Sequence, residues 1–190
     1  MSFPRKSAKP RAILDEAGLY AYAVRVLGRQ MHTEADLRRL MKARVEPGER
    51  GEALIAATAA RLKEYGFLND VSFAETYARL RQQNEKHGAR RVRQDMAQKG
   101  VPKAIAAEAI EARYASTSEE ALAREHLDKK RIRKPANEKE TARIMRRLVA
   151  AGFSIGVIYK ILRQWDVPDE TLAALDNLET GEPESESGPD

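Results

Sequence analysis

The sequence predicts an all-α fold of three tandem three-helix repeats forming an elongated, curved array. Three observations carry that expectation. Apolar residues recur at helical spacing through most of the chain. Aromatics make up only 6% and charged residues 33% of the 190 positions, a balance that favours helices packed through Ala, Leu, Val and Ile over a β-sandwich. The third observation is an internal repeat. Met96-x-x-x-Gly100-Val101-x-x-x-Ile105-x-x-x-Ala109-Ile110 lines up without a gap on Leu148-x-x-x-Gly152-Phe153-x-x-x-Val157-x-x-x-Ile161-Leu162, an offset of 52 residues. Leu40-x-x-x-Arg44-Val45, followed by a short insertion before Ile55, is a looser third copy. One such unit is too small to bury its own apolar face, and stacking on its neighbours supplies the rest. The expected organisation is a disordered basic arm (1–11), repeat 1 (12–66), repeat 2 (67–116), repeat 3 (117–167) and an acidic, mostly disordered tail (168–190).

The elements follow in order. Residues 1–11 combine Arg5, Lys6, Lys9 and Arg11 with two prolines and read as a disordered basic arm. A first helix runs from about Ala12 to Arg29 on an Ala17, Tyr20, Val24, Leu27 face. Thr33 caps a second, Glu34 to Arg44, which buries Leu37, Leu40 and Met41. Pro47-Gly48 stops it, and a third, Gly51 to Tyr65, buries Ile55, Ala59 and Leu62 before Gly66 ends it. Ser72 with Glu75 reads as the capping box of a fourth helix on a Phe73, Tyr77, Leu80 face. Gly88 breaks it, and a fifth carries Val92 and Met96 inward. Pro102 opens a sixth over Ile105, Ala109 and Ile110. Thr117 with Glu120 is a further capping-box pair, for a seventh helix from Ser118 to about Arg131 with Leu122 inside. The eighth, about Glu138 to Ala151, buries Ile144 and Leu148. The ninth, from Ser154, uses Val157, Ile158, Ile161, Leu162 and Trp165. Pro168 opens a short last helix over Leu172 and Leu175, after which Glu, Ser, Pro and Gly dominate.

Composition bounds the function. The chain has no cysteine, which excludes thiolate metal sites, disulfides and thiol chemistry. It has no membrane-length apolar run and no signal-peptide pattern, so a cytoplasmic protein is expected. Net charge is +5, but residues 166–190 carry nine acids and no base, leaving +14 on residues 1–165. So basic a body points to a polyanion or an acidic protein surface as partner. No catalytic residue, cofactor or metal site is expected. Gly48-Glu49-Arg50-Gly51 lacks the phosphate-loop pattern, His32, His87 and His126 show no metal-ligand spacing, and Ser72 is explained by capping. His32 and His87 read as solvated turn residues.

The candidate contact residues are cations on the outward faces of helices. Arg38, Arg39 and Lys42 lie on the second helix, Arg90, Arg91, Arg93 and Lys99 on the fifth, and Arg143, Arg146 and Arg147 on the eighth. Lys129, Lys130 and Arg131 belong to a dense basic run after the seventh. Such runs are commonly solvated faces, but recurrence in all three units would draw a basic stripe along one side of the array. Arginine forks suit phosphate or carboxylate, and few aromatics lie among them to stack bases.

Leu68-Asn69-Asp70-x-x-Phe73-Ala74, then Gly88-x-x-x-Val92-x-x-x-Met96-x-x-Lys99-Gly100-Val101, resembles the RecX family of recombinase regulators. Tyr22-Ala23-Val24-Arg25-Val26-Leu27 with Leu37-Arg38-Arg39-Leu40 resembles its first repeat, and Arg146-Arg147-Leu148-x-x-x-Gly152-Phe153-Ser154-x-x-x-Ile158 its third. The likeness spans about Leu14 to Trp165. Two positions depart from the family pattern: Asn69-Asp70 stands where two acids are usual, and Arg44 where glycine is commoner. The resemblance implies a monomeric, non-enzymatic protein that lodges in the groove of the RecA nucleoprotein filament. There it would lower filament growth, ATP hydrolysis, strand exchange and the coprotease activity behind the SOS response. Contacts to single-stranded and duplex DNA are expected through the basic face. The rival expectation is a helix-turn-helix-like regulator acting on duplex DNA alone, against which stands the lack of an Asn/Gln/Ser base-reading set on the basic helices.

Overall fold

The computed structural model describes residues 12–173. The expected arm at 1–11 and the tail beyond 173, with Leu175, lie outside them. The described residues are all-helical, with no strand, and nine α-helices have both ends among them: α1 Glu16–Leu27, α2 Glu34–Lys42, α3 Glu49–Glu64, α4 Asp70–Glu85, α5 Ala89–Gln98, α6 Lys103–Tyr114, α7 Glu119–Lys129, α8 Glu138–Ala150 and α9 Ile155–Gln164. A further helical stretch opens at 169 and buries Leu172. No helix among the described residues is long and apolar enough to cross a membrane.

The described residues divide into two compact units, 12–77 with 95–109, and 78–94 with 110–173. Each helix of the middle trio is shared between them. The first unit buries Leu19, Ala23, Leu37, Met41, Ile55 and Leu62. The second buries Leu122, Ile144, Leu148, Phe153, Ile158 and Ile161. Each of the Leu, Ile, Met and Phe side chains among them contributes about 1.5–3 kcal/mol on leaving water.

One joint is built twice, once in each unit. In the first, the Thr33 hydroxyl donates to the Lys99 carbonyl at 2.6 Å, while the same oxygen caps α2 by accepting from the Asp36 N–H at 3.0 Å. In the second, the Gly88 N–H donates to the Ala151 carbonyl at 2.9 Å. The two accepting carbonyls are 52 residues apart, the period of the sequence repeat. Each joint thus sets the start of a trio's second helix against the turn that ends the second helix of the next trio.

Several local expectations are corrected. The α4 cap is Asn69, whose Oδ1 accepts from the Val71 and Ser72 N–H groups at 3.0 Å each. Ser72 therefore lies inside the first turn. Asn outranks Ser in reach here because it stands before the first helical residue, where an acceptor meets the orphan donors. Ser118, not Thr117, caps α7; the Thr117 hydroxyl accepts instead from the Gln82 amide at 2.8 Å. Leu80 is 41% exposed and Gln82 only 6%. That buried amide is satisfied by Thr117 and by the Arg113 carbonyl at 3.3 Å, as a buried polar group must be. On α1 the fully buried residues are Leu19 and Ala23, whereas Tyr20, Val24 and Leu27 are half-buried and Ala17 is exposed. Arg44, where the family favours glycine, follows a turn that needs no left-handed residue. Its carbonyl accepts from the Leu14 N–H at 2.8 Å and its guanidinium stands 4.9 Å from the Tyr22 ring centre.

Candidate anion-binding face

The three candidate cations of α2 are each paired with an acid where they stand. Arg38 donates to Glu34 at 2.8 Å, Arg39 meets Asp36 at 3.0 Å and Lys42 meets Glu52 at 2.7 Å. Lys63 also pairs with Glu34. These two neighbours hold the Glu34 carboxyl below the usual carboxylate range against the opposing effect of burial, the largest single influence on it. Lys99 stands 3.9 Å from Asp36 and 5.7 Å from the Tyr77 ring centre. Exposed pairs of this kind contribute roughly 0–1 kcal/mol to stability, but each cancels a charge that a distant anion would otherwise feel.

The second unit differs. Arg143, Arg146 and Arg147 are exposed on α8, whose inward face is Thr141, Ile144, Met145 and Leu148. Lys129 reaches back to the Asn84 carbonyl. Lys130 is exposed at the C-cap of α7, and Arg131 follows it in the left-handed region at φ 53°. Arg90 and Arg93 are exposed, but Arg91 is half-buried, which corrects the expectation that it reaches solvent as Arg90 does. The cause is Gly152, at φ +92°: a Cβ there would lie 2.3 Å from the Arg91 nitrogen. Only glycine permits that approach.

Arg91, Lys130 and Arg147 line one cleft of about 470 Å³. His87, His126 and Ile132 complete most of its wall, and no acid lines it. Its edge at Lys86–Gly88 is fixed from several sides. The Tyr114 hydroxyl donates to the His87 carbonyl at 2.9 Å, and burial raises that phenol to about 12, so it stays a donor. Lys86 pairs with Glu125 at 2.6 Å. His126 is 5% exposed. Its Nδ1–H donates to the Glu85 carbonyl at 3.2 Å, and its ring meets Phe153 edge-on at 5.7 Å.

The two histidines that sequence spacing separated are neighbours, with ring centres 6.0 Å apart, and His87 is half-buried rather than fully solvated. Among the described residues no group of three His, Cys, Asp or Glu could hold a metal ion. His126 was missed as a wall residue. Its signal was present in the sequence: it lies four residues after Leu122, on the same apolar face.

Helices alone, in tandem trios, with Arg91, Lys130 and Arg147 lining one cleft, define an all-α helical-repeat protein. The model of RecX, second three-helix domain, matches residues 69–110. Regulatory protein RecX of Thermus thermophilus is 32% identical over 151 residues, 79% of this chain and 92% of that protein. The protein of the same name from Myxococcus xanthus is 32% identical over 153 residues, 74% of this chain and 81% of that one. The crystal structure of RecX from Lactobacillus salivarius shares the fold, with TM-score 0.59 at 20% identity, covering 80% of this chain and 96% of that one. The chain belongs to the RecX family of regulatory proteins.

Proposed function

We propose that this protein is a non-enzymatic regulator of a RecA-type recombinase. It binds the nucleoprotein filament and hinders filament growth, ATP hydrolysis and strand exchange, and so modulates recombinational repair and the SOS response. The observation that carries this reading is family likeness over 92% of a relative's length. Supporting it, the outward cations of α8 and the α7 end have no ion pair among the described residues, a surface suited to the filament's phosphates or acidic side chains. On this reading the protein acts in the cytoplasm as a monomer, and the three repeats engage neighbouring recombinase subunits, each contact raising the effective concentration of the next.

The test is RecA's ATP hydrolysis on single-stranded DNA with increasing amounts of this protein. The rate is expected to fall in a dose-dependent way. An unchanged rate, together with tight binding to duplex DNA alone, would instead establish the helix-turn-helix-like regulator.

A further inference from the structure

We infer that the cleft between the α7 end and α8 is a seat for one sugar-phosphate unit of a nucleic-acid strand, held by Lys130 and Arg147 with Arg91 behind them. The inference deepens the reading above and rests on it for a strand as the ligand.

Three features of the cleft carry it. The first is charge: Lys130 and Arg147 converge from two different elements, and neither has an ion pair among the described residues, while no acid enters the wall. Both cations sit at helix C-termini, where the carbonyl ends attract positive charge. Each end is equivalent to roughly half a negative charge, so it offsets only about half of the cation beside it.

The second feature is geometry. A carboxylate presents two oxygens in one plane and is satisfied by a single arginine fork. Cations arriving from separate elements around a concavity suit a tetrahedral group whose oxygens point in several directions. The cleft volume of about 470 Å³ lies in the lower part of the range for small-ligand sites, about 300–1,000 Å³. That exceeds what one oxoanion fills, and Ile132 and the His126 ring give the remainder an apolar wall against which a sugar packs. The third feature is rigidity. The Gly88–Ala151 hydrogen bond, the Tyr114–His87 bond and the Lys86–Glu125 pair hold the cleft's edge before any ligand arrives, which lowers the ordering cost of binding.

The experiment measures binding of the full-length protein to fluorescein-labelled oligo(dT) by anisotropy over a salt series. Wild type is compared with Lys130→Ala, Arg147→Ala and, outside the cleft, Arg50→Ala. All three side chains are exposed, and unchanged melting temperatures verify that each variant is folded. The two cleft variants are expected to bind about tenfold more weakly, as loss of a charged hydrogen bond implies, and each to flatten the log–log salt slope by about 0.7, the single-strand value per phosphate. Arg50→Ala is expected to bind as wild type. Inorganic phosphate is expected to displace the oligonucleotide better than acetate at matched ionic strength. RecA's ATP hydrolysis, run on the same variants, separates the two proposals: cleft-dependent oligonucleotide binding without any inhibition by wild type sinks the filament reading alone. Wild-type affinity and slope in both cleft variants, or acetate competing as well as phosphate, would overturn the seat.

Discussion

Gly88 and Gly152 lie backbone against backbone: a Cβ on Gly88 would stand 2.3 Å from the Gly152 carbonyl oxygen. The Gly88 N–H meanwhile donates to the adjoining Ala151 carbonyl at 2.9 Å. Neither atom is the end of a flexible side chain, so the added methyl must push main chain apart. Gly88→Ala is therefore expected to lose about 1–3 kcal/mol, towards the upper end, as overpacked sites do. Gly156→Ala is the opposite case. That residue lies in α9 with nothing within 4 Å of its Cβ position, and the change should stabilise by about 0.4–1 kcal/mol through the unfolded chain. Urea denaturation of both variants checks the pair of signs.

The cap of α4 gives a second prediction. Asn69 accepts from two orphan N–H groups of the first turn, whereas Ser72 is exposed within it. Asn69→Ala should cost about 0.5–2 kcal/mol, and Ser72→Ala should stay within about 0.5 kcal/mol. Equal losses in denaturant unfolding would return the cap to Ser72.

These two cases show what the sequence made legible and where it stopped. Helix number, the 52-residue period and the inward residues Val92, Met96, Ile144 and Leu148 follow from spacing alone, because a 3.6-residue period is a local property. Gln82 did not. A polar residue takes a core position only when partners satisfy it, and its partners lie 31 and 35 residues away. Tyr20 was placed inside α1 on periodicity, but an amphipathic ring settles half-buried with the Arg61 guanidinium 4.4 Å from its centre. The cleft was illegible for the same reason. Arg91, Lys130 and Arg147 were each visible as outward cations, but their convergence depends on the Gly88–Ala151 joint, which no local pattern encodes.

His126 sets a pH dependence. Burial holds its imidazole below the ordinary 6.5, and the Lys130 charge adds to that, while the Glu85 carbonyl and carboxylate and the Lys86 backbone oppose it. His87 and Arg91 share the cleft wall with it. The folded protein therefore takes up this proton less readily than the unfolded chain. Its contribution to stability is complete above about 6.5 and is lost as pH falls from there through the lower folded value. Unfolding free energy measured from pH 8 to 5 should decline, and His126→Gln should flatten the decline. His32, also lowered chiefly by burial, adds to it with the same sign and leaves a residual slope. A variant as pH-sensitive as wild type would remove His126 from this account.

The last prediction contrasts the two sets of outward cations. In the first unit Arg39 and Lys42 are spent on Asp36 and Glu52. Removing both uncovers two carboxylates but takes away no cation that stood unpaired and ready for a partner. In the second unit Arg143 and Arg146 project from α8 without an ion pair among the described residues. Arg143→Glu with Arg146→Glu should melt near wild type, because exposed substitutions away from caps and cores usually stay within about 0.5 kcal/mol each. Under the proposed function, the α8 double variant should inhibit RecA's DNA-dependent ATP hydrolysis poorly, and Arg39→Ala with Lys42→Ala should inhibit nearly as wild type does. Salt identifies the lost partner. A shallower salt slope for binding to naked DNA assigns the α8 arginines to phosphate, where each lost contact removes about one released counterion. An unchanged slope with weaker inhibition assigns them to acidic side chains of the recombinase. If the first-unit variant loses inhibition while the α8 variant keeps it, the working face belongs to the first repeat, and paired cations there must exchange their carboxylates for the partner's.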